Sequence, residues 1–149
     1  MRNILKFNST FLLVILAILI LRIFFTPFFV IGPSMQPTLK NGNIGISYNH
    51  SKNIKRNDIV LIKNQATKKT IIKRVIGLPG EKVEYKDNKL YINDKEYKDK
   101  FSDITADYSI TLGDNQYCCL GDNRPVSADS RTFGSFSIND IKSKVLICI

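Results

Sequence analysis

The chain has 149 residues, enough for one domain with a short appendage. Its 22 basic and 13 acidic residues give a net charge of +9, which suits a nucleic acid or an anionic membrane surface. The sequence has no zinc-finger spacing, basic helix or stacking-aromatic cluster, which argues against nucleic acid. One histidine and three poorly spaced cysteines predict no metal site. Cys118 and Cys119 read as small hydrophobic residues, and pairing of one of them with Cys148 is left open.

The first predicted element is a transmembrane helix over residues 9–25. Residues 11–21, FLLVILAILIL, carry no polar group, and Thr26-Pro27 breaks the helical pattern. A helix of this length rises about 26 Å at ~1.5 Å per residue, near the lower limit for a bilayer span. A cleaved signal peptide would offer small residues at its end, whereas bulky RIFFTPFFVI follows here. A buried core helix would have a polar face, and this one has none.

The charges around this helix predict its orientation. Arg2 and Lys6 place residues 1–8 in the cytoplasm by the positive-inside tendency. Residues 26–149 are then the extracytoplasmic domain of a single-pass protein of the cell membrane. All 13 acidic residues and all basic residues except Arg2, Lys6 and Arg22 lie in that domain, whose charge is therefore about +6. With an anchor in front, the lipid bilayer is the expected partner of this charge.

The domain after the anchor is predicted to be all-β, with an antiparallel sheet, because short alternating apolar runs are separated by turn residues. Residues 94–116 are polar and turn-rich and are predicted to form a connecting loop with at most one strand. Asp87-Asn88 predicts a hairpin, and residues 138–141 a helical turn. The predicted strands are 44–48, 59–63, 70–76, 83–86, 89–93, 116–120 and 144–149.

Lys73 lies within the apolar run TIIKRVIG, where a charged side chain is unfavourable. Alternation along a strand puts it on the same face as Ile71 and Val75. One interpretation is a packed stem with its amine in water, and the other is an amine held in a dry site for chemistry. Desolvation there would lower the lysine pKa from about 10.4 by several units and produce a base.

Ser34 lies where the anchor meets the domain, between Pro33 and Pro37, which fix the backbone on both sides. It is either an ordinary linker serine or a nucleophile, and a nucleophile needs a base. The single histidine, His50, lies in a turn-like segment with no identifiable orienting carboxylate, which argues against a Ser-His-Asp triad. A neutral Lys73 amine is the other known solution.

A third stretch, LGDNRPVSADSRTFG, follows the predicted strand at 116–120. Asp129 and Arg131 are two residues apart and can form an ion pair. Ser127 offers a hydroxyl that can bond an amine. A polar loop closed by an ion pair is the alternative interpretation of the same residues.

Three motifs thus occur in order after an apolar segment: SMxPTL, KRVIGLPGE and GDNRxxSxDSRxFG. Together they resemble the type I signal peptidases, membrane-bound serine peptidases with a Ser-Lys dyad. The resemblance extends from the anchor to about Gly134. The single span and the short middle region are similar to the compact Gram-positive form of the family. The resemblance implies an antiparallel β-sheet peptidase fold and chemistry that needs no metal or cofactor.

By this resemblance Ser34 is the nucleophile and Lys73 the general base. Ser127 matches the serine that hydrogen-bonds the lysine amine. The resemblance also implies ion pairs that hold the loop carrying Ser127 against the dyad: Asp122 with Arg74, and Asp129 with Arg131. Other motif positions are matched by Met35, Pro37, Leu39 and Asp58.

Two positions depart from the family pattern. Gly32 stands where some relatives have a serine whose hydroxyl helps to stabilise the oxyanion. The oxyanion hole is therefore expected to use the Ser34 backbone N–H and a second, unidentified donor. Asn57 stands where glycine commonly precedes the acid of a structural motif, and little consequence is expected because asparagine tolerates left-handed backbone angles.

The resemblance implies cleavage of N-terminal signal peptides from secreted or surface precursors at A-x-A sites, through an acyl-enzyme. The precursor is expected to bind as an extended strand against residues 28–32 and 70–72. Whether the clients are broad or dedicated, as pilin subunits would be, is left open. Pockets for the small side chains are expected from Val30, Ile31, Gly32, Met35, Leu39, Ile71 and Ile72.

The main alternative is a non-catalytic, membrane-tethered assembly factor or chaperone for a surface structure such as a pilus. It would keep the fold and lose the chemistry, whereas Ser34, Lys73 and Ser127 are all present. A self-cleaving Ser-Lys regulator would need a helical DNA-binding domain, and the apolar N-terminus stands in its place. The sequence therefore favours the peptidase.

Overall fold

The computed structural model describes residues 9–51, 53–101 and 106–149, which form two β-sheets behind an N-terminal helix. This helix, α1, is Ser9–Phe24, one residue shorter at its end than predicted. Within these three ranges, no helix is long and apolar enough to cross a membrane. The predicted cytoplasmic segment, residues 1–8, lies outside the described residues.

The larger sheet has seven strands, and each neighbouring pair is antiparallel. Their bounds are β1 Phe25–Phe29, β2 Ile44–Tyr48, β3 Ile59–Lys63, β4 Thr70–Gly77, β9 Gln116–Leu120, β10 Phe136–Ser137 and β11 Ile141–Cys148. The order across the sheet is β1-β2-β11-β3-β4-β9-β10. The loop after β9 contains a short 3-10 turn, Arg124–Val126, and the helix α2, Ser130–Phe133.

The smaller sheet is formed by the middle of the chain. Its strands are β5 Lys82–Lys86, β6 Lys89–Ile92, β7 Lys95–Tyr97 and β8 Tyr108–Thr111, in the order β7-β6-β5-β8. It packs on the larger sheet through an apolar cluster that includes Ile76 and Tyr85. Gly77 permits the close approach, because a Cβ there would lie 2.4 Å from Val83 Cγ2. The two sheets therefore meet beside the segment that carries Lys73.

The all-β, antiparallel class is confirmed, and the predicted strands occur with shifts of a few residues at their ends. Asp87 and Asn88 turn the β5–β6 hairpin with φ of 52° and 60°, the left-handed angles that such a turn requires. A 3-10 turn at Ile138–Asp140 corresponds to the predicted helical turn. All three cysteines are free thiols, so the disulfide left open by the sequence is absent.

The prediction for residues 94–116 is wrong, because this segment contains two strands, β7 and β8. β7 has only three residues, and the four-residue alternation YSIT of β8 was not recognised within the polar, turn-rich segment; pairing with β6 and β5 defines the two strands. Strand β1 was also not predicted, since it includes Pro27. Proline is tolerated there because β1 is an edge strand of the sheet.

Candidate active site

Strand β4 brings Lys73 into the interior, directly opposite Val60 on β3. Its side chain shares a face with Ile71 and Val75, which pack with Val60 in one apolar cluster, and the residue is 3% exposed. The Lys73 Nζ donates a hydrogen bond of 2.8 Å to Ser34 Oγ. The dry environment predicted from strand alternation is therefore present, and the predicted nucleophile and base are in contact.

Burial lowers the pKa of Lys73 below its ordinary value of 10.5. The carboxylates of Asp129 and Asp122 act in the opposite direction, and Arg131 adds to the lowering. A lower pKa increases the neutral fraction of the amine at any given pH. A neutral amine within hydrogen-bond distance of a hydroxyl can accept its proton.

Ser34 is fixed through the peptide groups on either side of it. Its carbonyl accepts from Asn123 N at 3.0 Å, and the Pro33 carbonyl accepts from Gln36 N at 3.0 Å. The Asn123 side-chain amide also donates to the Pro33 carbonyl at 3.3 Å. The loop after β9 therefore holds the backbone of the nucleophile in place.

The first predicted ion pair connects β4 to this loop. Arg74 donates to both carboxylate oxygens of Asp122, from Nε at 2.8 Å and from Nη2 at 2.6 Å. Its other terminal nitrogen donates to the Asn57 carbonyl at 2.8 Å. Because Arg74 follows Lys73 directly, this two-bond contact locks the base-bearing strand to the loop that holds Ser34.

The second predicted ion pair closes the loop on itself. Arg131 donates to Asp129 from Nε at 2.9 Å and from Nη2 at 2.8 Å, and Asp129 also accepts from Gly121 N at 3.0 Å. Burial alone would raise the pKa of Asp129, but the hydrogen bonds from Arg131 and Gly121 outweigh it and hold that pKa below its usual value. Asp129 is therefore a buried, fully bonded carboxylate.

Ser127 does not make the hydrogen bond to the Lys73 amine that the resemblance implied. Its Oγ is buried and has no hydrogen-bond partner among the described residues, although it lies near enough to Asp129 to help lower the pKa of that carboxyl. The hydroxyl packs on Gly121 instead, where a Cβ would lie 2.1 Å from it. Ser127 therefore contacts Gly121, the residue that packs on the Ser34 carbonyl.

A cleft of about 150 Å³ leads to the Ser34–Lys73 pair. Of the seven residues predicted to bind substrate, Leu39 is buried in a core cluster instead, and Gly32 is outside the cleft with its N–H bonded to Asn41 Oδ1 at 2.8 Å. Phe29 and Thr70, which lie in the two segments predicted to contact the precursor, also line the cleft. The cleft is lined by Phe29, Val30, Ile31, Ser34, Met35, Thr70, Ile71, Ile72 and Lys73.

The remaining motif residues have structural contacts. His50 lies against the end of α1, with Nε2 3.2 Å from the Ile23 carbonyl, and is not part of the site. Asp58 pairs with Lys144 at 2.8 Å. Asn57 has the left-handed φ of 72° that its replacement of glycine predicted.

Comparison with known proteins identifies the family. A family model described as signal peptidase, peptidase S26, matches residues 2–149. The chain belongs to this family. Signal peptidase I of Streptococcus pneumoniae is 35% identical, with 94% of this chain and 90% of that protein aligned. Signal peptidase I V of Bacillus subtilis is 40% identical over 81% of this chain and 83% of its own.

A solved structure supports the same assignment. The crystal structure of a signal peptidase I from Enterococcus faecalis superimposes with a TM-score of 0.58 at 32% identity, covering 64% of this chain and 98% of that one. The sequence-based recognition of a type I signal peptidase is therefore confirmed, and with it the class of serine endopeptidase. Removal of signal peptides from secreted precursors is the activity that goes with this family.

Proposed function

We propose that this chain cleaves signal peptides from exported precursors with Ser34 as nucleophile and Lys73 as general base. The observation that carries the proposal is the 2.8 Å hydrogen bond between the two side chains in a buried, apolar setting. Lys73 takes the proton of Ser34 Oγ as this oxygen attacks the scissile carbonyl. The lysine ammonium then gives that proton to the departing amine of the mature protein.

The acyl-enzyme that remains is an ester between Ser34 and the signal peptide. Lys73, neutral again, takes a proton from a water molecule as the water attacks the ester. Lys73 then gives this proton to Ser34 Oγ, which leaves as the ester bond breaks. The Ser34 N–H has no acceptor among the described residues and is the donor we assign to the oxyanion. Pro33 has no N–H, and that of Gly32 is used by Asn41.

The precursor is proposed to bind as a strand along the start of β4. Residues 70–73 pair with β3 on one side only, because the pairing of β4 with β9 begins at Arg74. This leaves backbone groups of 70–73 open to an added strand next to the Ser34–Lys73 pair. The cleft volume of about 150 Å³ suits small side chains, as an A-x-A site requires.

We further propose a single-pass membrane protein with an extracytoplasmic catalytic domain. Support comes from the uncharged run 11–21 and from the exposure of the large apolar side chains of α1. Neighbouring strands continue this apolar surface towards the cleft, and Ile31, at the cleft itself, is 89% exposed. The exposed large apolar side chains of these strands and their loops are Phe29, Ile31, Ile44, Ile46, Leu146, Ile147 and Ile149.

The test uses the full chain in detergent with lipid and a precursor bearing an A-x-A site. The wild type should release a product whose new N-terminus follows the second small residue, and Ser34→Ala and Lys73→Ala should both abolish release. Thermal unfolding checks that both variants fold. Cleavage that survives Lys73→Ala would refute the lysine as base. A folded wild type that cleaves neither general precursors nor pilin precursors, and whose Ser34 resists an acylating serine probe, would favour the assembly factor.

A further inference from the structure

A buried ionic cluster ties the smaller sheet to the loop after β9. This Asp99 cluster consists of Asp99, which follows β7, Tyr85 on β5, and Arg124 in the loop. Arg124 is 1% exposed, and its guanidinium donates to both carboxylate oxygens of Asp99 and to the Tyr85 hydroxyl. The Tyr85 hydroxyl also donates to Asp99. All three side chains thus bond one another away from solvent.

The charges in this cluster depend on each other. Burial works to raise the pKa of Asp99, but its hydrogen bonds with Arg124 outweigh that effect and the pKa is lowered. Burial likewise works against the charged form of Arg124, and Asp99 outweighs it, so the pKa of Arg124 is raised. Removing one charge of such a pair leaves the other buried and uncompensated, which is strongly unfavourable.

Arg124 connects this cluster to the backbone that holds the nucleophile Ser34. Its Nε donates to the Gly121 carbonyl at 2.8 Å, and its own carbonyl accepts from Arg131 Nη2 at 2.7 Å. Two residues beyond Gly121, Asn123 N donates to the Ser34 carbonyl at 3.0 Å. Gly121 itself packs so closely on Ser34 that a Cβ would lie 2.5 Å from that carbonyl oxygen.

The segment 95–101 bears on β4 as well. The Arg74 guanidinium carbon lies over the Phe101 ring, 5.3 Å from the centroid of that ring. The Tyr97 hydroxyl accepts from the Asn57 side chain at 2.9 Å, and the Asn57 carbonyl accepts from Arg74 at 2.8 Å. The same short segment therefore contacts the arginines that secure both the base-bearing strand and the nucleophile-holding loop.

We propose that Asp99 is a positioning residue for peptide cleavage: through Arg124 it fixes the Gly121–Asn123 backbone, and with it Ser34, relative to Lys73. The smaller sheet takes part in the reaction in this way without touching the substrate. The inference rests on the function proposed above for Ser34 and Lys73.

The experiment compares Asp99→Asn with a matched control, Glu96→Gln, in the full chain with detergent and lipid. Both variants exchange a carboxylate for an amide in one segment, but the partner of Glu96 is Lys89, and both of those side chains are about half exposed. Asp99→Asn should lower kcat by about 10- to 100-fold, since a displacement near 1 Å has that effect on a catalytic pair. KM and the pH midpoint of kcat/KM should stay at their wild-type values, and Glu96→Gln should behave as wild type.

Thermal unfolding separates positioning from stability alone. A lower Tm of Asp99→Asn, with unchanged kcat well below the transition, would overturn the proposal. Tyr85→Phe removes one hydroxyl and keeps the ion pair, so it should fold and show a smaller loss confined to kcat. Unchanged kcat in Tyr85→Phe together with unchanged kcat in folded Asp99→Asn would leave the cluster no part in cleavage.

A double variant tests whether Asp99 acts through Arg124. Arg124→Lys keeps the charge but loses the planar two-bond contact and the bond to Gly121. If the two residues act as one unit, the kcat of Asp99→Asn/Arg124→Lys should be close to the kcat of the less active single variant. Independent, multiplicative losses would refute the coupling. Cleavage by Ser34→Ala would instead refute the proposed function and leave this result without a reaction to explain.

Discussion

Gly121→Ala should lower kcat strongly although it adds one methyl group and no charge. The new Cβ would lie 2.1 Å from Ser127 Oγ and 2.5 Å from the Ser34 carbonyl oxygen. Ordinary contact begins at 3.4 Å, so the hydroxyl must move by about 1.3 Å and the carbonyl by about 0.9 Å, or the loop must move by a similar distance. Ser34 cannot yield freely, because its carbonyl is bonded to Asn123.

The expected loss follows from these displacements. A shift near 1 Å in a catalytic pair costs on the order of 100-fold in rate, and we expect that loss in kcat. Overpacking a buried site also costs about 1–3 kcal/mol of unfolding free energy. The assay is cleavage of an A-x-A precursor peptide, with Tm measured on the same preparations so that kcat is taken well below unfolding.

The matched control is Gly113→Ala, in the loop that precedes β9. A Cβ at Gly113 meets nothing closer than Gln116 Oε1 at 3.4 Å, so this variant should retain wild-type kcat. Wild-type kcat in folded Gly121→Ala would show that the loop yields without disturbing Ser34. That result would refute the geometric coupling between the loop and the nucleophile.

Three further predictions concern charge and surface. Asp129 raises the pKa of Lys73 and Arg131 lowers it. The acid limb of the pH profile of kcat/KM should therefore move to lower pH in Asp129→Asn and to higher pH in Arg131→Gln. Movement of both variants in the same direction would contradict this prediction. The folded pKa of Asp129 is lowered, so its stabilisation is complete above the unfolded value of about 3.9 and is lost as pH falls through the folded value. On acidification, the Tm of the wild type should therefore fall more than the Tm of Asp129→Asn. Equal falls would show that ionised Asp129 does not stabilise the fold. Ile147→Lys should weaken binding to anionic vesicles about tenfold, because the loss of about 1.5–3 kcal/mol of apolar burial is partly offset by ~1 kcal/mol of attraction from the added lysine. Val126→Lys, at a similarly exposed position outside the exposed apolar surface of β1, β2 and β11, should leave binding unchanged. Equal effects of the two substitutions would argue against that surface as the membrane contact.

The sequence was most informative where one local pattern carried the signal. Lys73 stood out because an amine interrupts an apolar alternation, and that alternation also predicted its dry face. Ser34 was identified by its flanking prolines and by its motif. The left-handed turn at Asp87-Asn88 is likewise a local property of two residues.

What the sequence did not reveal depends on contacts between distant segments. Arg124 lies inside a motif that was read residue by residue, yet its partner Asp99 follows a three-residue strand with no apolar pattern. Leu39 was placed in the substrate cleft because it belongs to the nucleophile motif, although its position in the turn directs it into the core. The orientation of Ser127 is set by close packing on Gly121, which no spacing along the chain predicts.

Two carboxylates near a lysine that must be neutral pose a physical problem, because each favours the ammonium form. The structure resolves it by giving each carboxylate an arginine: Asp122 is bonded twice by Arg74, and Asp129 twice by Arg131. Burial is the largest influence on Lys73, and Arg131 offsets part of the effect of Asp129, so the pKa of Lys73 falls. The same arginines fix the strand and loop that carry the two reacting groups. The charge balance around Lys73 and the position of Lys73 relative to Ser34 therefore depend on the same two ion pairs. Removing one residue of either pair should change the pH profile and the rate together.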